Sequence, residues 1–206
     1  MSSTWLDSAW RRRLTERLEP ILKSPRLVEE VSTYQGVPFA LFAYPPTAER
    51  DLRREVQMLA TRVEHETTRK VTTVSIADLL WEAILTAYPP DGKALFEAER
   101  SMAGEEPERR LGNLQDTIRA VLSEVCPLPE LIAVRVAGLD PTRSVVFLTR
   151  VGALYPAYRA SALLENLMGQ VRVPTILFYP GTRTGTNTLR FMDSLEALHG
   201  YRHKIF

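Results

Sequence analysis

The run VPFALFAY, residues 37–44, has no polar residue at alternate positions, so a strand formed from it needs cover on both faces. The period then changes. In PPTAERDLRREVQMLATRVEHET, residues 45–67, Leu52, Val56, Leu59 and Val63 recur at helical spacing and define one apolar face. KVTTVSI (70–76) reads as a second strand. Ser75, with Asp78 three positions on, resembles a capping box opening the helix ADLLWEAILTAY (77–88). Strand, helix and strand in this order predict a parallel sheet with helices on both faces.

The rest of the chain repeats that alternation. SVVFLTRV (144–151) is a strand, ASALLENLMGQ (160–170) a helix and VPTILFY (173–179) a strand. NTLRFMDSLEALHG (187–200) reads as a helix, with Leu189, Met192, Leu195 and Leu198 at steps of three and Gly200 as its C-cap. YRHKIF (201–206) makes a short last strand. ELIAVRVAGL (130–139) fits helix or strand, and helix is favoured because Asp140-Pro141 ends it before the next strand. The expected fold class is α/β: a mainly parallel, Rossmann-like sheet in one domain over 1–206. Helical additions are expected at 1–30 and 89–128. Within the latter, PERRLGNLQDTIRAVLSEV (107–125) is the clearest amphipathic piece.

A net charge of +1 gives no general drive toward nucleic acid or anionic membranes, and one cysteine, Cys126, precludes an intramolecular disulfide. No apolar run approaches the ~20 residues of a membrane span, and no signal-peptide core opens the chain, so a soluble, cytoplasmic protein is expected.

In such sheets, ligands bind beyond the carboxyl ends of the strands. Three loops belong there: AYPP (43–46), TRVGALYP (149–156) and FYPGTRTG (178–185). The last is spaced somewhat like a phosphate cradle. Yet Gly181 and Gly185 are separated by three residues, and Thr186 stands where a Walker lysine would follow. Pro45 and Pro46 supply no amide protons after the first strand, and no G-x-G-x-x-G, nucleophile elbow or metal-ligand spacing occurs. The pattern is that of a degenerate P-loop-like sheet without a cofactor or a catalytic set.

Two readings remain for GTRTGTNT (181–188): a capped turn, or an anion site made by amides, hydroxyls and Arg183 before a helix N-terminus. In LTRVGALYPAYRASALL (148–164), Arg150 and Arg159 bracket Tyr155 and Tyr158. They can clamp a carboxylate or phosphate or form a binding hot spot, or Arg150 can satisfy carbonyls at the sheet edge. The candidate partner- or ligand-binding residues are therefore Arg150, Tyr155, Tyr158, Arg159, Tyr179, Gly181, Arg183 and Gly185. WRRRLTER (10–17) is basic, but a solvated helical face explains it as well as DNA contact does.

Taken in order, PFALFAYPP, ERDLRREVQMLATRVE, VTTVSIADLLWEAI, VVFLTRVGALYPAYRASALLENL, VPTILFYPG and the closing LRFM…YRHKIF resemble the BrxB family of the bacterial BREX phage-defence systems. The similarity spans about Val31 to Phe206. The resemblance implies a cytoplasmic accessory component with no established catalytic residues. It would act with a PglZ-type protein of the alkaline-phosphatase-like superfamily, a large ATPase and a methyltransferase. A second reading of the residues is a sensor or enzyme of degenerate nucleotide-binding fold that takes a phosphorylated ligand.

Overall fold

The computed structural model describes residues 9–32, 38–167, 169–183, 188–194, 198–199 and 204–206. Along the chain lie α1 (9–23), α2 (Leu27–Val31), β1 (Phe39–Tyr44), α3 (Glu49–Glu66), β2 (Lys70–Ser75) and α4 (Ile76–Ala87). They are followed by α5 (Lys93–Ser101), α6 (Pro107–Ala120), α7 (Leu128–Val136), β3 (Ser144–Thr149), α8 (Ala160–Leu167) and β4 (Thr175–Arg183). The last elements are β5 (Thr188–Phe191), β6 (Leu198–His199) and β7 (Lys204–Ile205).

The spatial order is β2-β3-β4-β1-β7, and every pairing along that path is parallel. From β1 the chain crosses to the far edge through α3 on one face, then returns strand by strand through α4–α7 and α8 on the other. The α/β, mainly parallel architecture expected from the strand and helix periods is present.

Alternation within each strand assigns side chains to faces. Ala40, Phe42, Tyr44, Val145, Phe147, Ile176 and Phe178 meet α1 and α3 on one side. Leu41, Ala43, Val146, Leu148, Leu177 and Tyr179 meet α4, α7 and α8 on the other. All six residues of β1 and of β3 are buried, as their apolar runs require. Phe178 anchors its layer, with ring centroids 5.7 Å from Phe42 and 5.3 Å from Phe147. β2, an edge strand, is only partly buried and carries Thr72 and Thr73.

The N-terminal helix is part of the core. Trp10, Leu14, Leu18 and Leu22 of α1 are fully buried against the sheet face that α3 also covers. Polar contacts fasten the two helices along the rim. Arg62 Nε and Nη2 donate to the two Glu19 oxygens at 2.9 and 2.7 Å, and Lys23 Nζ adds a bond of 2.7 Å. Arg69 donates to the carbonyls of Leu22 and Ser24 at 3.0 and 2.6 Å, satisfying acceptors that the end of α1 leaves open.

The hydrogen bonds from Arg62, with the help of Lys23 and against the cost of burial, hold the Glu19 carboxyl below its ordinary pKa. A depressed carboxylate pKa contributes stability at neutral pH that disappears as pH falls through the folded-state value. Urea melts at pH 7 and pH 3 are therefore expected to separate wild type from Glu19→Gln by about 1–3 kcal/mol at the higher pH and by much less at the lower. An unchanged gap between the two pH values would show that Glu19 acts by packing alone.

Over the described residues of 187–200 the expected helix is not formed. Thr188–Phe191 is a strand, antiparallel to the extended end of β4, with Gly181 opposite Phe191 and Arg183 opposite Leu189. The reason lies in a period-two signal inside the stretch: Leu189 and Phe191 are buried, with exposed Arg190 between them. The steps of three through Met192 were coincidental. β6 then pairs with β5. Gly200, expected as a helix cap, lies outside the described residues, as does Leu195. The helix expected over 130–139 is present as α7, Leu128–Val136, and Lys204–Ile205 of the expected last strand pair beside β1.

Candidate functional site

The loop after β3 packs beneath the β4–β5 hairpin. Gly152 faces Met192 and Pro180 so closely that a Cβ there would sit 3.2 Å from the Met192 sulfur. Phe191, at the end of β5, lies between Tyr155 and Tyr179, with ring centroids 6.2 and 5.3 Å away. Tyr179 is fully buried and Tyr158 is 7% exposed, both in the core layer beneath. Two of the candidate tyrosines are thus packing residues. Tyr155 is half-buried.

Arg150 adopts a left-handed conformation at the end of β3, with φ 57° and ψ 33°. Its Nη1 donates to Asp78 Oδ1 at 2.7 Å and to Ser75 Oγ at 3.4 Å. The same Ser75 hydroxyl accepts from the Asp78 amide at 3.3 Å, so the capping interaction expected at the start of α4 is present. Arg150 therefore joins the end of β3 to the first turn of α4, through side chains and not through the carbonyls considered from sequence. Because both partners are partly exposed, Arg150→Gln is expected to cost at most about 1 kcal/mol. Ser75→Ala, which removes the cap as well, is expected to cost about 1 kcal/mol or somewhat more by chemical denaturation.

Arg159 is exposed and directly precedes α8. Its carbonyl accepts from Leu163 at 3.2 Å, so it sits at the helix cap and not within the first turn. Gly181 and Arg183 belong to β4 itself, and Gly185 lies outside the described residues. Since a strand, β5, and not a helix follows this stretch, an anion site at 181–188 loses the helix N-terminus on which that reading rested. Cys126 is half-buried beside the core layer of α7.

Sequence reasoning missed a set of exposed apolar side chains. Among the described residues, five of the seven exposed large hydrophobics fall between β2 and β3: Trp81, Phe96, Leu111, Val125 and Val134. Trp81 and Phe96 are 46% and 48% exposed, with tilted rings 6.3 Å apart, astride the turn at Gly92. A wheel of α4 would have found Trp81. Ile76, Leu79, Ala83 and Ile84 form its buried stripe, and Trp81 falls off it. α6, the segment with the clearest helical period, buries none of its residues fully.

Among the described residues, no helix is long and apolar enough to cross a membrane, and no group of three or more His, Cys, Asp or Glu side chains is placed to hold a metal ion. No solved structure matches the chain. A BREX protein BrxB of Bacillus cereus (strain H3081.97) is 24% identical over 186 residues, covering 87% of this chain and 91% of that protein. The family model described as BREX protein BrxB matches residues 72–205, a span from β2 through β7 that includes both the arginine–tyrosine loop and the exposed aromatic pair. The chain belongs to the BrxB family, and so to the proteins of BREX phage defence.

Proposed function

We propose that this protein is a non-catalytic, cytoplasmic accessory subunit of a BREX system, and that it docks a PglZ-type protein through the helical segment between β2 and β3. The observation that carries the reading is the exposed pair Trp81 and Phe96 in that segment, with ring centroids 6.3 Å apart. Clustered exposed apolar residues on an otherwise polar surface mark interaction sites, and tryptophan leads the residue types that dominate binding energy. The surroundings suit a rim. Asp78, one turn before Trp81, is paired with Arg150, and Glu82, beside it, is bonded by Arg135. These partly exposed ion pairs supply orientation more than affinity.

Trp81→Ala and Phe96→Ala are expected to leave the melting temperature within a few degrees of wild type. Each is also expected to weaken capture of the PglZ-type protein by about 2 kcal/mol, roughly thirtyfold, and to reduce phage protection. Pull-down from cells carrying the whole BREX operon provides the measurement, with Arg159→Ala alongside. Undiminished capture by the Trp81→Ala, Phe96→Ala double variant would dismiss this surface. Loss for Arg159→Ala only would move the interface to the loop before α8.

A further inference from the structure

A cavity of about 230 Å³ opens where the end of the helical segment meets α8. Its walls come from the π-helical turn Val121–Val125 that continues α6, from the start of α7, and from the last turn of α8 with the residues after it. Tyr158, from the loop before α8, lines it as well. The Tyr158 ring packs in the core and only 7% of the residue is exposed. Its hydroxyl has no hydrogen-bond partner among the described residues, yet it is not sealed from solvent. Tyrosine hydroxyls at buried positions ordinarily find a partner, so this one is left available to whatever enters the cavity.

The other polar groups around it can all accept hydrogen bonds. Glu130, in the first turn of α7, is exposed, and no cation pairs with it among the described residues. Ser123 brings a hydroxyl from the π turn, and Asn166 a side-chain amide from the last turn of α8, where the helix dipole is negative. Gln170 donates from Nε2 to the Asn166 carbonyl at 2.9 Å, which leaves its own amide oxygen free to accept. Among the described residues, none that lines the cavity is basic. Arg119, one turn before Ser123, is engaged by Asp116 at 2.6 Å and by the Ala157 carbonyl at 3.1 Å. Leu122, Pro127 and Pro129 complete the wall with apolar surface.

An unpaired carboxylate beside neutral acceptors repels anions and suits a cation rich in donors. A single carboxylate is too few for a calcium or magnesium ion. Guanidinium matches the set: it is always charged, planar, carries five donors and has no acceptor. Its methylene stem can lie along the leucine and the two proline rings. The wider charge agrees. Residues 76–143, between β2 and β3, hold twelve acidic and seven basic side chains in a chain of net charge +1, so the field here favours a basic partner. We propose that this cavity receives the guanidinium group of an arginine side chain on the protein that docks to the segment. Glu130 pairs with it, and the Tyr158 oxygen accepts from it. A side chain is the occupant in preference to free arginine, whose own carboxylate would find no cation in the lining. The inference rests on the docking role proposed for this segment and adds the chemistry of the residue that anchors the partner.

The test titrates the full chain, by nuclear magnetic resonance, with Nα-acetylarginine amide and with its neutral isostere Nα-acetylcitrulline amide. Wild type is expected to bind the arginine probe with a Kd on the order of a millimolar, and the citrulline probe about tenfold more weakly. Glu130→Gln is expected to weaken the arginine probe about tenfold and Tyr158→Phe about threefold, and both to reduce partner capture in the whole-operon pull-down. Thermal melting checks that the variants fold; if Tyr158→Phe does not, the exposed substitution Glu130→Gln decides. Equal binding of the two probes, or full binding of the arginine probe by Glu130→Gln, overturns the cavity as a guanidinium site. If the Trp81→Ala, Phe96→Ala variant still loses capture in that case, the docking role stands without the cavity. Probe binding that Glu130→Gln loses while capture is unchanged overturns a partner arginine as the occupant. Capture lost by Glu130→Gln but kept by the aromatic variant supports the cavity and removes Trp81 and Phe96 from the interface.

Discussion

Gly181→Ala is expected to lower stability by about 3 kcal/mol, a drop in melting temperature of roughly 10 °C for a chain of this size. A Cβ at this position would lie 2.0 Å from the Arg190 carbonyl oxygen and 2.9 Å from the Tyr179 ring. The first neighbour is backbone, held in the β4–β5 ladder by the pairing of Gly181 with Phe191. It cannot step aside as a flexible side chain would, so the hairpin must open or shift. A Gly181→Ala protein that melts like wild type would show that the hairpin is not held against β4 in this register.

Tyr179→Ala is expected to be costlier still, about 4 kcal/mol, because it empties a fully buried ring site between the sheet and Phe191. Tyr179→Phe keeps the ring and is expected to lose only about 1 kcal/mol. Measured by urea denaturation, this contrast separates packing from ligand contact. A residue that served mainly to touch a ligand or partner would give the opposite pattern: near-normal stability for Tyr179→Ala and a large loss of binding.

Where strands are buried on both faces, apolar continuity alone identifies them, so β1, β3 and the first part of β4 were legible in the sequence. The cap at Ser75 was legible because its chemistry is local. β5 was not. Four residues that alternate are too few to outweigh a longer accidental period of three, and what stabilises them is a partner strand, which a linear reading does not weigh. The candidate residues divided along the same line. Tyrosine is ambivalent between core and surface, and only the placement of Phe191 decides that Tyr179 turns inward. Arg150 met Asp78 and Ser75 because β2 and β3 lie side by side in the sheet. The exposure of Trp81 was legible only from a wheel of α4, which sets it off the buried stripe of Ile76, Leu79, Ala83 and Ile84.

The pairing of β1 also dictates an order of events during synthesis. β1 is translated before the other described strands of this sheet, yet its neighbours are β4 and β7, which come far later in the chain. Until Thr175–Pro180 have emerged, six consecutive buried-type residues of β1 carry backbone donors and acceptors with no native mate. Sheets closed by such distant pairings form slowly, and their nascent chains are prone to associate. A ribosome-bound chain stalled before residue 175 should therefore be protease-sensitive across Phe39–Tyr44 and recruit chaperones, and one released after β7 should lose both properties together.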